Sequence, residues 1–295
     1  MENKSSLATY SAAIVAIILW GYSFVWTNSL LQYEVPVFTF LFIRLAIAGL
    51  LLFVVSKCLG KLQKIEKKDF KWLFLMAFSE PFVYFIGETY GMLATGSATI
   101  AAVIIATIPV FCLILERILW NKLFNTYKII GILLTIPGIL MVVFQNGPIS
   151  VSHAYGIALL FMAVAAATSY AVFVKKLSGK YNSFTITTYQ FVIGAFLFLP
   201  FFLLYGREGL NEKFFSSEVL VPLLTLAVLC SCVAFLFWVF VIGKLGITRA
   251  NIFSALIPAV SAVGAFMLGQ ESLPLIRIIG IAVVIIGVIL AQRES

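Results

Sequence analysis

The stretch FLMAFSEPFVYFIGETYG, residues 74–91, is apolar and aromatic enough to lie in a membrane. Yet it holds two carboxylates, Glu80 and Glu88, with Tyr84 midway between them and Pro81 directly after the first. On a helix the positions i, i+4 and i+8 drift only about 80°, so these three share one face, and the carboxylates differ in depth by about 12 Å. Arg44 is a further charge inside an apolar run. A charged side chain at the bilayer centre costs about 2.5–3.5 kcal/mol on insertion scales. Arg44 lies between the carboxylates in depth, and the three groups are therefore expected to face one another or a wet cavity. Arg44 can neutralise only one carboxylate fully. The other would suit carriage of a proton or of a cationic substrate group, and Glu80, nearer the midplane, is the favoured carrier. The plainer reading is an Arg44–glutamate pair that only locks two helices. Pro81 removes a helical hydrogen bond and is a candidate hinge.

Trp20, Tyr22, Tyr170, Tyr189, Gln190, Trp238 and Asn251 also fall at mid-depth. Aromatic walls with a few convergent polar groups suit organic ligands, although each residue singly also reads as helix packing. Pro109 and Pro258 are expected mid-helix, as two further hinges. Other chemistries lack their residues. The single histidine, His153, falls in a loop. No G-x-x-x-x-G-K-[ST] run exists for ATP. No Ser/Lys, paired Asp or His constellation stands out for catalysis, so no catalytic residue and no enzyme activity is expected. Cys58, Cys112, Cys230 and Cys232 lie in or beside apolar runs, which argues against a disulfide framework. The Cys230–Cys232 pair reads as packing rather than a metal site. No metal and no cofactor is expected.

The elements that must position these groups follow from composition. The chain is 62% hydrophobic and 11% charged, far from the roughly 25% charged of a soluble domain. Apolar runs near the length of a bilayer span recur throughout, which implies an all-α polytopic membrane protein. Ten spans are expected, at about 10–29, 37–56, 70–91, 97–117, 127–145, 154–174, 184–205, 219–242, 249–268 and 274–292. The first is read as a retained span, since its apolar run is longer than that of a signal peptide. Sixteen of the 20 basic residues fall on one side of this alternation, three (Arg207, Lys213 and Arg277) on the other, and Arg44 inside a span. The rule that basic loops stay inside places both termini in the cytoplasm, and a multi-pass protein of the cell (inner) membrane is expected. The net charge of +8 thus reports loops beside lipid, not nucleic-acid binding.

The chain also repeats. At a constant offset of 149 residues, Thr99 falls on Thr248, Ala101 on Ala250, Ile108-Pro109 on Ile257-Pro258, KIIGI from Lys128 on RIIGI from Arg277, and Gly138 on Gly287. Lys122 meets Glu271. Five spans per half is an odd number, so the second half, 149–295, would enter the membrane inverted relative to the first, 1–148. Inverted repeats build secondary transporters with a site near the midplane. Gly87 and Gly91, Gly131 and Gly138, and Gly280 and Gly287 read as close helix packing.

LWGYSFVWTNSLL from Leu19, FIRLAIAGLLL from Phe42, IPVF from Ile108 and TRANIFSALIPAVSAVGAFMLGQE from Thr248 resemble a drug/metabolite transporter of the EamA type, over about residues 10–292. The resemblance implies a ten-helix carrier that moves small organic solutes (amino acids, related metabolites or drugs), often outward, by alternating access. Trp20 and Gly21 match the family's W-G, Arg44 the arginine of its R-x-x-x-A-G, and Pro109 and Pro258 its prolines of the fourth and ninth helices. Gly269-Gln270-Glu271 has one residue more than the family's G-E, and the first half has no such motif. The expected function is an exporter with a midplane site between the repeats, coupled to protons in one version. Its partners are a small-molecule substrate and the lipid bilayer, without ATP; monomer and homodimer both stay open. The competing reading is a channel or membrane sensor on the same bundle.

Overall fold

A computed structural model describes residues 2–120, 125–145, 150–251 and 253–291. Lys122 and Arg293, used above for the repeat and the charge bias, lie outside the described residues. Among the described residues there is no strand. Nine helices among the described residues are long and apolar enough to cross a membrane: Leu7–Gln32, Val37–Cys58, Lys67–Thr95, Ala98–Leu115, Thr126–Val143, Val151–Ser178, Ser183–Gly209, Ser217–Leu245 and Arg249–Met267. A shorter apolar helix, Leu275–Ala291, takes the place of the tenth expected span. At 1.5 Å per residue its 17 residues reach about 25 Å. These ten are called the first to tenth spans below.

The ends of the spans follow local chemistry. Pro36 precedes the second span, where its missing N–H is no loss. Gly96, at φ 64°, ends the third span, and Ser97 at once caps the fourth by accepting from the Ile100 N–H. Asn125, Ser150 and Asn182 cap the fifth, sixth and seventh spans in the same way.

Packing pairs the spans as the repeat requires. The fifth packs on the tenth, the second on the seventh, the third on the sixth and the first on the eighth. Exchanging the halves maps the first two pairs onto themselves and the last two onto each other. Small residues allow the close approaches, since lipid offers no hydrophobic drive between helices. A Cβ on Gly138 would stand 2.9 Å from the Gly280 carbonyl, and one on Gly287 3.0 Å from the Gly131 carbonyl. Gly87 and Gly91 press on the sixth span, where a Cβ on Gly87 would meet the Leu159 carbonyl at 2.6 Å. The glycine pairs read from the sequence are therefore helix contacts.

Four spans are irregular in equivalent pairs, and the seventh has a further π-type turn over Phe202–Gly206. The third carries a wide π-type turn over Phe78–Val83 and the eighth one over Leu226–Val233, which the 149-residue offset superimposes. In the third, Glu80 itself leaves the helix, at φ −144° and ψ 116°. The fourth stops at Ile105 and resumes at Ile108; the ninth resumes at Ile257, the equivalent residue. Pro109 and Pro258 were expected mid-helix. They instead occupy the first turn of the resumed segment, where a proline ring fits without displacing a bonded N–H.

Candidate functional site

The turn at Glu80 and the breaks of the fourth and ninth spans border a central cavity. Trp20, Arg44, Glu80, Tyr84, Glu88 and Ile108 line it from the first half, and Tyr170, Phe235, Trp238, Asn251, Ser254 and Ile257 from the second. Irregular backbone at membrane depth is tolerated where it lines such a cavity. Eight of the residues singled out by sequence thus meet: Trp20, Arg44, Glu80, Tyr84, Glu88, Tyr170, Trp238 and Asn251.

The polar groups inside are arranged otherwise than expected. Glu80, Glu88 and Arg44 are all buried, but Arg44 forms no ion pair with either carboxylate. Its Nε donates to the Ser231 hydroxyl at 2.8 Å, and its guanidinium lies 4.3 Å from the centre of the Phe85 ring. Glu88 accepts from the Tyr84 hydroxyl at 2.9 Å. The reason is azimuthal. Helix rise places Arg44 between the two glutamates in depth, but the face of the second span that carries Arg44 meets the eighth span's wide turn and the Phe85 side of the third.

The other predicted residues lie elsewhere. Gln190 sits behind the cavity, and its Nε2 donates to the Glu80 carbonyl at 3.2 Å while its Oε1 accepts from the Tyr170 hydroxyl at 3.3 Å. It satisfies a carbonyl at the break in the third span. Pro81 fills the same joint, its ring against Gly194 of the seventh span. Tyr22 packs against Gly264 and, at 5.6 Å between ring centres, Trp26. Tyr189 is half-buried and not part of the cavity wall. Cys230 and Cys232 donate to the Leu19 and Ala48 carbonyls, at 3.2 and 3.6 Å; they pack the eighth span against the first and second. Sequence reasoning missed Ser231, Phe85 and Phe235. Only the aromatic richness around the two phenylalanines hinted at them, and nothing marked Ser231.

Aromatic rings bind the wall into one surface. Trp20 meets Phe235 at 4.9 Å and Trp238 at 5.1 Å, both edge-on, and its Nε1 donates to the Cys230 carbonyl at 3.3 Å.

Two polar clusters flank the bundle. Glu271, in the loop after the ninth span, is paired at 2.6 Å with Arg277 in the first turn of the tenth, and it also accepts from the Ser97 hydroxyl and the Thr99 N–H at the start of the fourth span. The neighbouring Gln270 reaches the first span, accepting from Asn28 and donating to Ser29 and the Val25 carbonyl. Near the opposite ends of the spans, Lys180 bonds Glu66 and Asp69, each at 2.6 Å, and Tyr181 donates to Asp69. Lys180 and Lys68 hold the Glu66 carboxyl below its usual range, and Asp69 and Glu66 in turn push the Lys180 ammonium up.

Comparison with known proteins agrees with this architecture. The model of the EamA-like transporter family matches twice, over residues 7–144 and 154–292. An "Uncharacterized transporter" of Archaeoglobus fulgidus is 27% identical over 280 residues, covering 95% of this chain and 97% of its own. The "Uncharacterized transporter YetK" of Bacillus subtilis is 26% identical, over 97% of this chain and 87% of its own. A "Probable terminal-alkyne amino-acid exporter" of Streptantibioticus cattleyicolor is 24% identical, over 85% of this chain and 82% of its own. A solved crystal structure shares the fold, with a TM-score of 0.74 over 97% of this chain and 96% of that chain at 16% identity. Two family matches, one in each half of a ten-helix bundle, identify the chain as a multi-pass membrane protein belonging to the EamA-like transporter family.

Proposed function

We propose that this protein is a secondary transporter that exports small organic solutes across the cell (inner) membrane by alternating access, with both termini cytoplasmic. The central cavity is the solute site, and its glutamates couple export to protons. The observation that carries this reading is a cavity lined at equivalent places in both halves, by Ile105 and Ile108 at the break of the fourth span and by Ser254 and Ile257 at that of the ninth, so that rocking one half against the other would move the site's two walls. Two buried carboxylates and one guanidinium within an aromatic wall suit a solute with both polar and apolar parts. The likeness to a protein named as an amino-acid exporter favours amino acids and related molecules as the first class to test.

Counterflow in proteoliposomes tests the carrier cycle. Unlabelled solute trapped inside should accelerate entry of labelled solute, because only an alternating carrier is stimulated from the far side. Flux that is insensitive to trapped solute would indicate a channel and refute the proposal.

A further inference from the structure

Arg44 is the oddity of the cavity. Guanidinium has five N–H donors and cannot shed its charge, so a buried one ordinarily ends against a carboxylate. Here two carboxylates share its cavity, and it pairs with neither. Among the described residues its only hydrogen bond runs from Nε to Ser231, and its flat face is covered by Phe85. Both partners are neutral. They hold the plane of the fork and leave its two terminal nitrogens, Nη1 and Nη2, without a protein acceptor at a cavity wall. Glu88 is engaged by Tyr84. The wide turn over Leu226–Val233 presents the fully buried Ser231, and such turns recur at functional sites.

We infer that Arg44 is a slot for the carboxylate of an organic anion or zwitterion, and that Ser231 is the positioning residue that keeps this slot open. The planar fork matches a carboxylate with two parallel hydrogen bonds, which lysine could not reproduce. Phe85 keeps the guanidinium from swinging toward Glu80 and Glu88, and Ser231 fixes its rotation. The aromatic wall of Trp20, Phe235 and Trp238 would take the apolar remainder. This assignment rests on the cavity being the solute site, but it is tested by binding alone.

The probes are phenylacetate and L-phenylalanine, each against its amide, titrated into the purified protein and read by tryptophan fluorescence. Wild-type protein should bind each carboxylate more tightly than its amide. Ser231→Ala should weaken the carboxylates roughly tenfold, the worth of about one hydrogen bond to a charged group. It should leave the amides unchanged, and Ser231→Thr should restore the preference. Arg44→Gln should abolish it. Equal binding of acid and amide by wild-type protein, or equal weakening of both in Ser231→Ala, would overturn the inference. If carboxylates bind selectively but counterflow is absent, the slot stands and the transport reading falls.

Discussion

Replacing Glu271 by alanine should be the most damaging single change outside the cavity. Glu271 gives one oxygen to Arg277 at 2.6 Å, and the other accepts from Ser97 at 3.0 Å and from the Thr99 N–H at 3.2 Å. Both charged side chains are buried. Alanine therefore leaves Arg277 with Gln145 and the Ser272 carbonyl as its partners and strips the Thr99 N–H and the Ser97 hydroxyl, at the start of the fourth span, of their acceptor. Breaking a buried pair by removing one partner costs about 3–5 kcal/mol. At roughly 2 °C per kcal/mol for a chain of this size, the melting temperature in detergent should fall by about 6–10 °C. The double variant Glu271→Ala/Arg277→Met removes the stranded charge as well and should regain more than half of that loss. A double-mutant cycle on thermal unfolding measures the coupling. Additive losses, or a Glu271→Ala variant that melts with wild type, would refute the buried pair and its role in fastening the loop.

Gly138→Leu should force the fifth and tenth spans apart, because its Cβ alone would stand 2.7 Å from Val284; expression and thermal stability should both drop, whereas Leu140→Ala on the exposed face should be near neutral. Gln190→Leu strips the Glu80 carbonyl of its donor and should cost about 1–3 kcal/mol, read by thermal unfolding, while leaving a carboxylate in the cavity. Acid should loosen the Glu66–Lys180 link: the Glu66 carboxyl titrates below its usual range, so its contribution is present above about pH 4.3 and is lost as pH falls through the depressed folded value. Hydrogen exchange of residues 61–69 should quicken there, and a Lys180→Gln variant should exchange fast at all pH values.

The spans were legible because a bilayer demands long apolar helices, and their boundaries fell within a few residues of the apolar runs. The pairing of spans was partly legible, through glycines at fixed spacing. The cavity residues were legible by depth, since rise per residue is constant along a helix. Azimuth was not, and so the Arg44–Ser231 contact stayed hidden behind the more obvious Arg44–glutamate pair. Helix irregularity was legible only where proline marked it. Pro109 and Pro258 flagged the fourth and ninth spans, although their place in the first turn after the break was misread as mid-helix. The wide turn LAVLCSCV of the eighth span contains neither proline nor glycine. It follows from the repeat, as the partner of the turn at Glu80, more than from its own residues. Gln190 was read as a ligand because a buried amide resembles one; the broken helix that needs its N–H is a tertiary feature.

The central claim is that the shared cavity is the transport site and that Glu80 carries the coupling proton. Its most direct measurement compares wild type and Glu80→Gln in proteoliposomes, with a labelled amino acid and an imposed pH gradient. Glutamine keeps the size and hydrogen bonding of the side chain but cannot release a proton, and it lowers the cost of burial. The variant should fold, should still exchange labelled for unlabelled solute, and should lose accumulation driven by the gradient. Gradient-driven accumulation by Glu80→Gln at the wild-type level, with an unchanged pH profile, would contradict the account.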